Sequence, residues 1–367
     1  MSRLHQLALT LLPGIGPVLA RKLLDHYGSG EAVFRESAKD LVRLPGIGEK
    51  LVRSFMPPVF TDALKQAEAE LKIAEKAGTR LLFYLDKSYP RRLKHCHDAP
   101  VLLFFRGNTN IDHPRVVSIV GSRRATPYGN MLCETLVEGL RPYDPLIISG
   151  LAYGIDVTAH RAALKNKLAT IGVLGHGLNR IYPAAHSRIS RDMEQEGGLL
   201  SEFFHDFPAL PENFPKRNRI VAGLSDATIV VEANEKGGAL ITADIASSYD
   251  REVFAFPGRL RDENSRGCLR IIRDHKAQLI TGAADVAWYL GWDKKPDQEP
   301  SGNAPSGNLT EEERKVLQII IESGSILIDD LRIRADFSQE SLFFILLQLE
   351  MHGFISNIPG KGYVYCK

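Results

Sequence analysis

The chain has 367 residues, 44% of them hydrophobic and 25% charged, which excludes a disordered chain and gives room for two or three domains. There are 46 lysines and arginines against 44 aspartates and glutamates, a net charge of +2, so a surface for nucleic acid would be a local patch. Cys96, Cys133, Cys268 and Cys366 lie far apart with no Cys-x-x-Cys pair, which excludes a disulfide framework or a zinc ribbon and points to a reducing compartment.

The start, MSRLHQLALTLLPGIG, has a short apolar run broken by Pro13 and no small-residue cleavage site. No later segment reaches the roughly 18 apolar residues that a membrane span needs. A cytoplasmic chain with no membrane contact is expected. The pentapeptide LPGIG occurs at Leu12–Gly16 and again at Leu44–Gly48, each time before a helical pattern. Helix, Pro-Gly-apolar-Gly turn and helix make a helix-hairpin-helix unit, whose glycines allow a tight turn and leave helix-start amides free for a phosphate. Two copies predict a paired all-α module, with nucleic-acid contact and plain scaffolding both open as its role.

Residues 61–77 alternate Ala, Glu, Lys and Leu and read as a connecting helix stopped by Gly78. Short apolar runs follow at 81–85, 101–105, 116–120, 146–149, 170–175, 228–233 and 253–256. The later ones are spaced widely enough for helices between them, which predicts βαβ units and a mostly parallel sheet covered on both faces. Ligands of such sheets sit at the carboxyl ends of the strands. Residues 293–308, DKKPDQEPSGNAPSGN, have too little apolar surface to fold and read as a linker. Beyond them, Thr310 and Glu313 have capping-box spacing, helical stretches follow near 328–333 and 338–352, and FISNIPGKGYVYCK reads as a two-stranded ribbon. Three helices and a ribbon predict a winged helix. Its third helix is poor in basic residues, so its aromatic and aliphatic stripe is read as core and not as a groove reader.

The predicted organisation is thus an α/β protein in four parts. A helix-hairpin-helix (SAM-like) domain spans 1–78, an extended Rossmann-like domain 79–292, the linker 293–308 and a winged helix 309–367.

The candidate site begins at VVSIVGSRRATPYGN, where a strand runs into Gly121, Ser122, Arg123 and Arg124 and on toward a helix. A dinucleotide loop needs glycines at its second and third positions and an acid about 20 residues on. The loop lacks those glycines, and the next strand ends in Ile148-Ser149-Gly150 with no acid, which argues against NAD. Helix-start amides, a hydroxyl and a guanidinium remain, an anion site suited to a phosphodiester. SGLAYGIDVTAH with Gly150 and Gly154, GHGLNRIYPAAH, and EKGGALITADIA with Gly237 and Gly238 repeat the strand, glycine turn and helix pattern. Four such strand ends in one sheet predict an extended groove along one edge.

NFPKRNRIVAGLSD then crowds Lys216, Arg217 and Arg219 around Asn218, next to Phe214. A ring for a base and cations for the adjacent phosphates are what a single strand needs. The alternative is that Arg217 and Arg219 pair with buried acids such as Asp226 or Glu232 and that Phe214 is core.

In chain order, SIVGSRRATPYG, SGLAYGIDVTAH, GHGLNRIYP, LLSEF, FPKRNRIVAGLSD, GGALITADIA and VFAFPG resemble the DprA/Smf family, DNA-processing protein A. The resemblance covers roughly residues 89–290. It implies a protein that binds single-stranded DNA without strong sequence preference, shields it and loads the RecA recombinase in natural transformation. It further implies a homodimer, with no catalytic step, cofactor or metal. Arg123 and Lys216 carry over as DNA contacts, with Phe214, Arg217 and Arg219 behind them. Ala239 and Leu269 depart from the family pattern. A rival of another class is a nucleotide phosphoribohydrolase, whose loop KGGALITAD resembles loosely, with Lys236, Leu240 and Asp244 in place of its proline, last glycine and glutamate. Asp156 and His160 read as a capping acid and a packing histidine, and His95-Cys96-His97-Asp98 as a surface loop, since neighbouring side chains on an extended chain point apart.

Overall fold

Nine short strands line up in one sheet in the order β1-β2-β6-β5-β4-β3-β7-β8-β9. They are β1 Arg80–Phe83, β2 Leu102–Gly107, β3 Val116–Val120, β4 Leu146–Ser149 and β5 Thr170–Leu174, then β6 Gly198–Ser201, β7 Ala227–Val230, β8 Glu252–Ala255 and β9 Gln278–Leu279. The computed structural model describes residues 3–292, 309–335, 337–352, 354–358 and 362–365. Contacts divide the chain after Trp292 into two compact units. The predicted linker at 293–308 and Cys366 lie outside the described residues.

From β6 across to β9 every pairing is parallel, and β1 and β2 add an antiparallel flap on β6. All residues of β3, β4, β5 and β7 are buried, as expected for strands with helices on both faces. In register, Val117 lies between Ile147 and Ala227. The chain builds outward from β3 to β6 and then returns to β3's other side as β7. That reversal between β3 and β7 is where such a sheet opens a crevice. Strands β6 and β9, at four and two residues, were not among the predicted runs.

Before the sheet, the two LPGIG turns join the helices Arg3–Leu11 to Pro17–Tyr27 and Ala38–Val42 to Glu49–Val52. Gly14 and Gly46 adopt φ of 81° and 97°, the left-handed region that favours glycine. The change of architecture at residue 78 is not a break. Leu7, Leu23 and Val33 share one apolar core with Phe104, Leu200 and Ile220. Glu70, on the long helix Val59–Lys76, accepts the backbone N–H of His205 at 2.8 Å and lies 2.7 Å from its Nδ1. Thr79 Oγ1 lies 2.8 Å from the other ring nitrogen, so the buried imidazole ties the helical part to the sheet.

In the second unit the helices Glu311–Ser323, Ile328–Ala335 and Gln339–Met351 pack on a sheet ordered β10-β12-β11. These strands are β10 Ser325–Ile326, β11 Ile355–Ile358 and β12 Gly362–Tyr365, one more than the expected ribbon. The capping box forms, with Glu313 N–H donating to Thr310 Oγ1 at 3.2 Å and Thr310 N–H to Glu313 Oε2 at 2.8 Å. The third helix corrects its predicted role as core. Leu342, Ile345, Leu346 and Leu349 are buried, but Phe343 and Phe344 are 60% and 61% exposed, because apolar residues occupy two faces of one helix.

Candidate nucleic-acid interface

The loop after β3 does not run straight into a helix with free amides. Ser122 N–H donates to the Glu232 carbonyl at 2.7 Å, and Ile155 N–H donates to the Ser122 carbonyl at 3.2 Å. Arg124 N–H donates to Ser122 Oγ at 3.1 Å. The helix starts only at Pro127, where Thr126 caps it by accepting from Gly129 N–H at 3.0 Å. Glu232 puts its carboxylate at that helix start, accepting the Thr126 N–H at 3.2 Å and the Thr126 hydroxyl. An internal anion therefore occupies the place predicted for a phosphate.

The other glycine turns divide in the same way. A Cβ on Gly154, whose φ is +75°, would stand 2.1 Å from the Ser122 carbonyl oxygen. A Cβ on Gly150 would lie 2.3 Å from Arg217 Nη1 and 2.5 Å from Asp156 Oδ2. On Gly177 it would meet the Phe204 carbonyl, and on Gly121 the Ile155 side chain. These four positions make room for the protein's own atoms. Gly238 differs from these four and opens outward, since a Cβ there meets nothing within 4 Å. It begins the helix Gly238–Ser248, which Gly237 caps with no side-chain bond, so its first amides face the crevice unclaimed by a side chain.

The crevice between the ends of β3 and β7 is a cleft of about 560 Å³. Arg123, Arg124 and Lys236 are exposed cations on its lining, and among the described residues none of them forms an ion pair. Asn218, Asn234 and Asn264 add amides, and Phe214 adds an aromatic face. The Arg123 guanidinium carbon lies 5.7 Å from the Phe214 ring centroid, in range for a cation–π contact, and the Tyr182 ring lies 5.7 Å from Phe214 on another side.

Arg217, Lys216 and Arg219 part company on the helix Asn213–Gly223. Arg217 follows Phe214 by three residues and forms the cleft floor, buried, with Nη1 donating to the Val173 carbonyl. Across Gly150 it faces Asp156, the single acid among the lining residues. Burial pushes the Asp156 carboxyl up and the Arg217 guanidinium down to about 10, while each charge opposes the other's shift. Arg219 does not line the cleft. It pairs with Glu202, both side chains nearly buried, and burial raises the Glu202 carboxyl against that pairing. The buried acids anticipated as partners do other work, Asp226 binding Arg92 at 2.6 Å and Glu232 holding Thr126. Lys216 is exposed, but two residues from Phe214 it leaves the helix about 200° away and does not line the cleft. Its charge bears instead on Glu202. Arg124, Lys236 and the three asparagines were missed as site residues, and only the fold gathers them.

His160 is the packing residue expected of it. Its Nδ1 lies 2.6 Å from Thr170 Oγ1, whose hydroxyl donates to the Ile147 carbonyl at 2.9 Å, so this network assigns the proton of the neutral ring to Nδ1. Nε2 is buried without a partner among the described residues, and burial pushes the imidazole down to about 3. The unfolded chain then takes up a proton near pH 6.5 that the folded chain refuses. Stability is whole above that pH and falls as pH drops toward 3, by roughly 5 kcal/mol for this group when complete. Urea titrations at stepped pH should show a shallower fall for His160→Gln; an identical slope would contradict the assignment.

In the segment 95–98, Cys96 is buried and Asp98 accepts the Tyr249 hydroxyl. Among the described residues no three His, Cys, Asp or Glu side chains are grouped to hold a metal, and no helix is long and apolar enough to cross a membrane.

Comparison with known proteins bears on the family and the fold. The family model for DNA recombination-mediator protein A matches residues 80–291, and that for a SAM-like helix-hairpin-helix tandem matches residues 7–54. DNA processing protein DprA of Streptococcus pneumoniae is 42% identical over 202 residues, 55% of this chain and 71% of that protein. Protein Smf of Escherichia coli is 36% identical over 305 residues, 82% of this chain and 81% of that protein. The X-ray structure of the Streptococcus pneumoniae protein superposes with a TM-score of 0.67 at 34% identity, covering 78% of this chain and 98% of that one. DNA processing protein A from Helicobacter pylori, described with a unique single-stranded DNA binding mode, gives 0.53 at 31% identity over 59% of this chain and 96% of its own. With more than half its length matched by one family, the chain belongs to the DNA recombination-mediator protein A (DprA) family.

Proposed function

We propose that this chain is a cytoplasmic single-stranded-DNA-binding protein that shields incoming DNA and loads RecA recombinase onto it in transformation and recombination. One observation carries the reading: the β3–β7 cleft presents a ring under a guanidinium, unpaired cations around it, and a single acid already faced by Arg217. A base stacking on Phe214 gains roughly 1–3 kcal/mol, comparable to a charge-assisted bond of about 1.5–3 kcal/mol to the next phosphate. The single-strand binding described for the Helicobacter pylori relative supports it. Gly238 amides, Arg123, Arg124 and Lys236 hold the sugar-phosphate chain, and Lys216 extends the cationic surface around the helix. The protein works as a homodimer. Leu279 on the sheet edge β9, with Trp288 70% exposed on the helix that follows, supports a second copy at that face.

No catalytic step is needed. In the rival phosphoribohydrolase reading Asp244 would stand for the catalytic glutamate, but it pairs with Lys276 at 2.7 Å and does not line the cleft. Gel shifts of the whole chain, and of the chain ended at Trp292, with matched single- and double-stranded oligonucleotides test the proposal. The single strand should be preferred by both proteins. Tighter duplex binding, or sustained release of free base from nucleoside monophosphates, would overturn it.

A further inference from the structure

On the far side of the arginine loop lies a second cleft, of about 600 Å³. Arg123 and Arg124 line this cleft as well as the first, so the loop Ser122–Ala125 stands as a ridge between two hollows. Arg161, on the helix Ile155–Lys165, adds a third guanidinium, exposed and without an ion pair among the described residues. No lining residue of the second cleft is acidic. In a chain whose net charge is only +2, three arginines without a carboxylate are a local segregation of charge, and their shared chemistry is an anion with several negative groups.

The cleft also offers a ring. Tyr153 is 51% exposed and held edge-on by the buried His186, ring centroids 5.0 Å apart, while His186 Nδ1 is fixed 2.9 Å from the Leu151 carbonyl. Half of this ring is left open to a partner while a buried neighbour fixes its orientation. Beside three guanidiniums it matches the pairing of base stacking with phosphate contact found in single-strand grooves. The ridge is rigid too, tied on one side to Glu232 and on the other to Ile155.

We infer that the second cleft binds the stretch of single-stranded nucleic acid adjoining the one in the first, with Tyr153 stacking a base and Arg161 holding a phosphate. A strand gripped by Arg123 crosses the ridge and continues, so the two hollows are one path. The inference rests on the proposed single-strand binding and extends it to residues outside the β3–β7 crevice.

Fluorescence anisotropy with oligothymidylates of about six and about twenty nucleotides separates the two clefts by length. For the long strand, Arg161→Ala should weaken binding about tenfold and take about 0.7 off the log–log salt slope. Tyr153→Ala should weaken it about tenfold with the slope unchanged, and Tyr153→Phe should bind as the parent does. The short strand, seated in the first cleft, should be indifferent to all three, whereas Arg123→Ala loses both lengths. Both side chains are exposed, and melting curves check that the variants fold. If Arg161→Ala and Tyr153→Ala hold the long strand as tightly as the parent while Arg123→Ala does not, the second cleft is no part of the path. If the parent itself binds neither length, the single-strand reading falls and takes this inference with it.

Discussion

Arg217→Ala is expected to destabilise the first unit by about 3 kcal/mol or more, because it leaves the buried Asp156 without the charge it faces. The loss should depend on pH with a definite sign. Burial already holds the folded Asp156 carboxyl above its ordinary value, and removing the guanidinium raises it further. Below that raised value the acid is neutral in the fold and the deficit shrinks. The deficit grows as pH rises past the unfolded value and is full only above the raised value, where the carboxylate is buried charged. Urea titrations at about pH 5 and about pH 8 should therefore give the smaller loss at the lower pH. Single-strand affinity of the folded fraction should keep its salt slope. An Arg217→Ala protein as stable as its parent, with a slope lower by most of a unit, would make Arg217 a phosphate contact and not the floor of the cleft.

The second large effect is on binding. With Arg123, Arg124, Lys236 and Lys216 engaging about four phosphates, affinity for a single strand should vary with salt at a log–log slope near −3. That is about a 50-fold loss between about 50 and 200 mM salt. Arg123→Ala should cost on the order of 10- to 100-fold, since it removes both a charge-assisted contact and the cation over Phe214. Its slope should fall by about 0.7, and Lys236→Ala should take a similar step. Phe214→Ala should lower affinity with the slope unchanged, which separates stacking from charge. Titrations at three salt concentrations decide the matter, and an Arg123→Ala protein with the parent's slope would remove Arg123 from the path.

The central sheet was legible because its parallel strands are buried on both faces and must be written as unbroken apolar runs, VVSIV and LIIS among them. Strands β6 and β9 were not, since a few residues acquire strand geometry only from their neighbours. The glycine turns were visible as turns, but not what approaches the missing Cβ. At Gly154 it is a carbonyl of the chain, and at Gly238 it is open space. The cluster NFPKRNR showed that cations were concentrated there. Helical geometry then sent Phe214 and Arg217 one way and Lys216 another, and period 3.6 alone would have told them apart. The Arg219 partner, Glu202, lies 17 residues upstream beyond the end of β6, a distance that no local pattern spans.

Glu232, the carboxylate lodged at the start of the Pro127–Leu140 helix, has a bearing on what binding costs. A grip that waited for its cargo to become ordered would spend part of each encounter rearranging. Here the chain supplies its own counterpart to that helix end during folding, so the arginines stand ready on an assembled frame before any polymer arrives. Binding then carries no cost for ordering this loop, which is the part of affinity that a preformed frame saves.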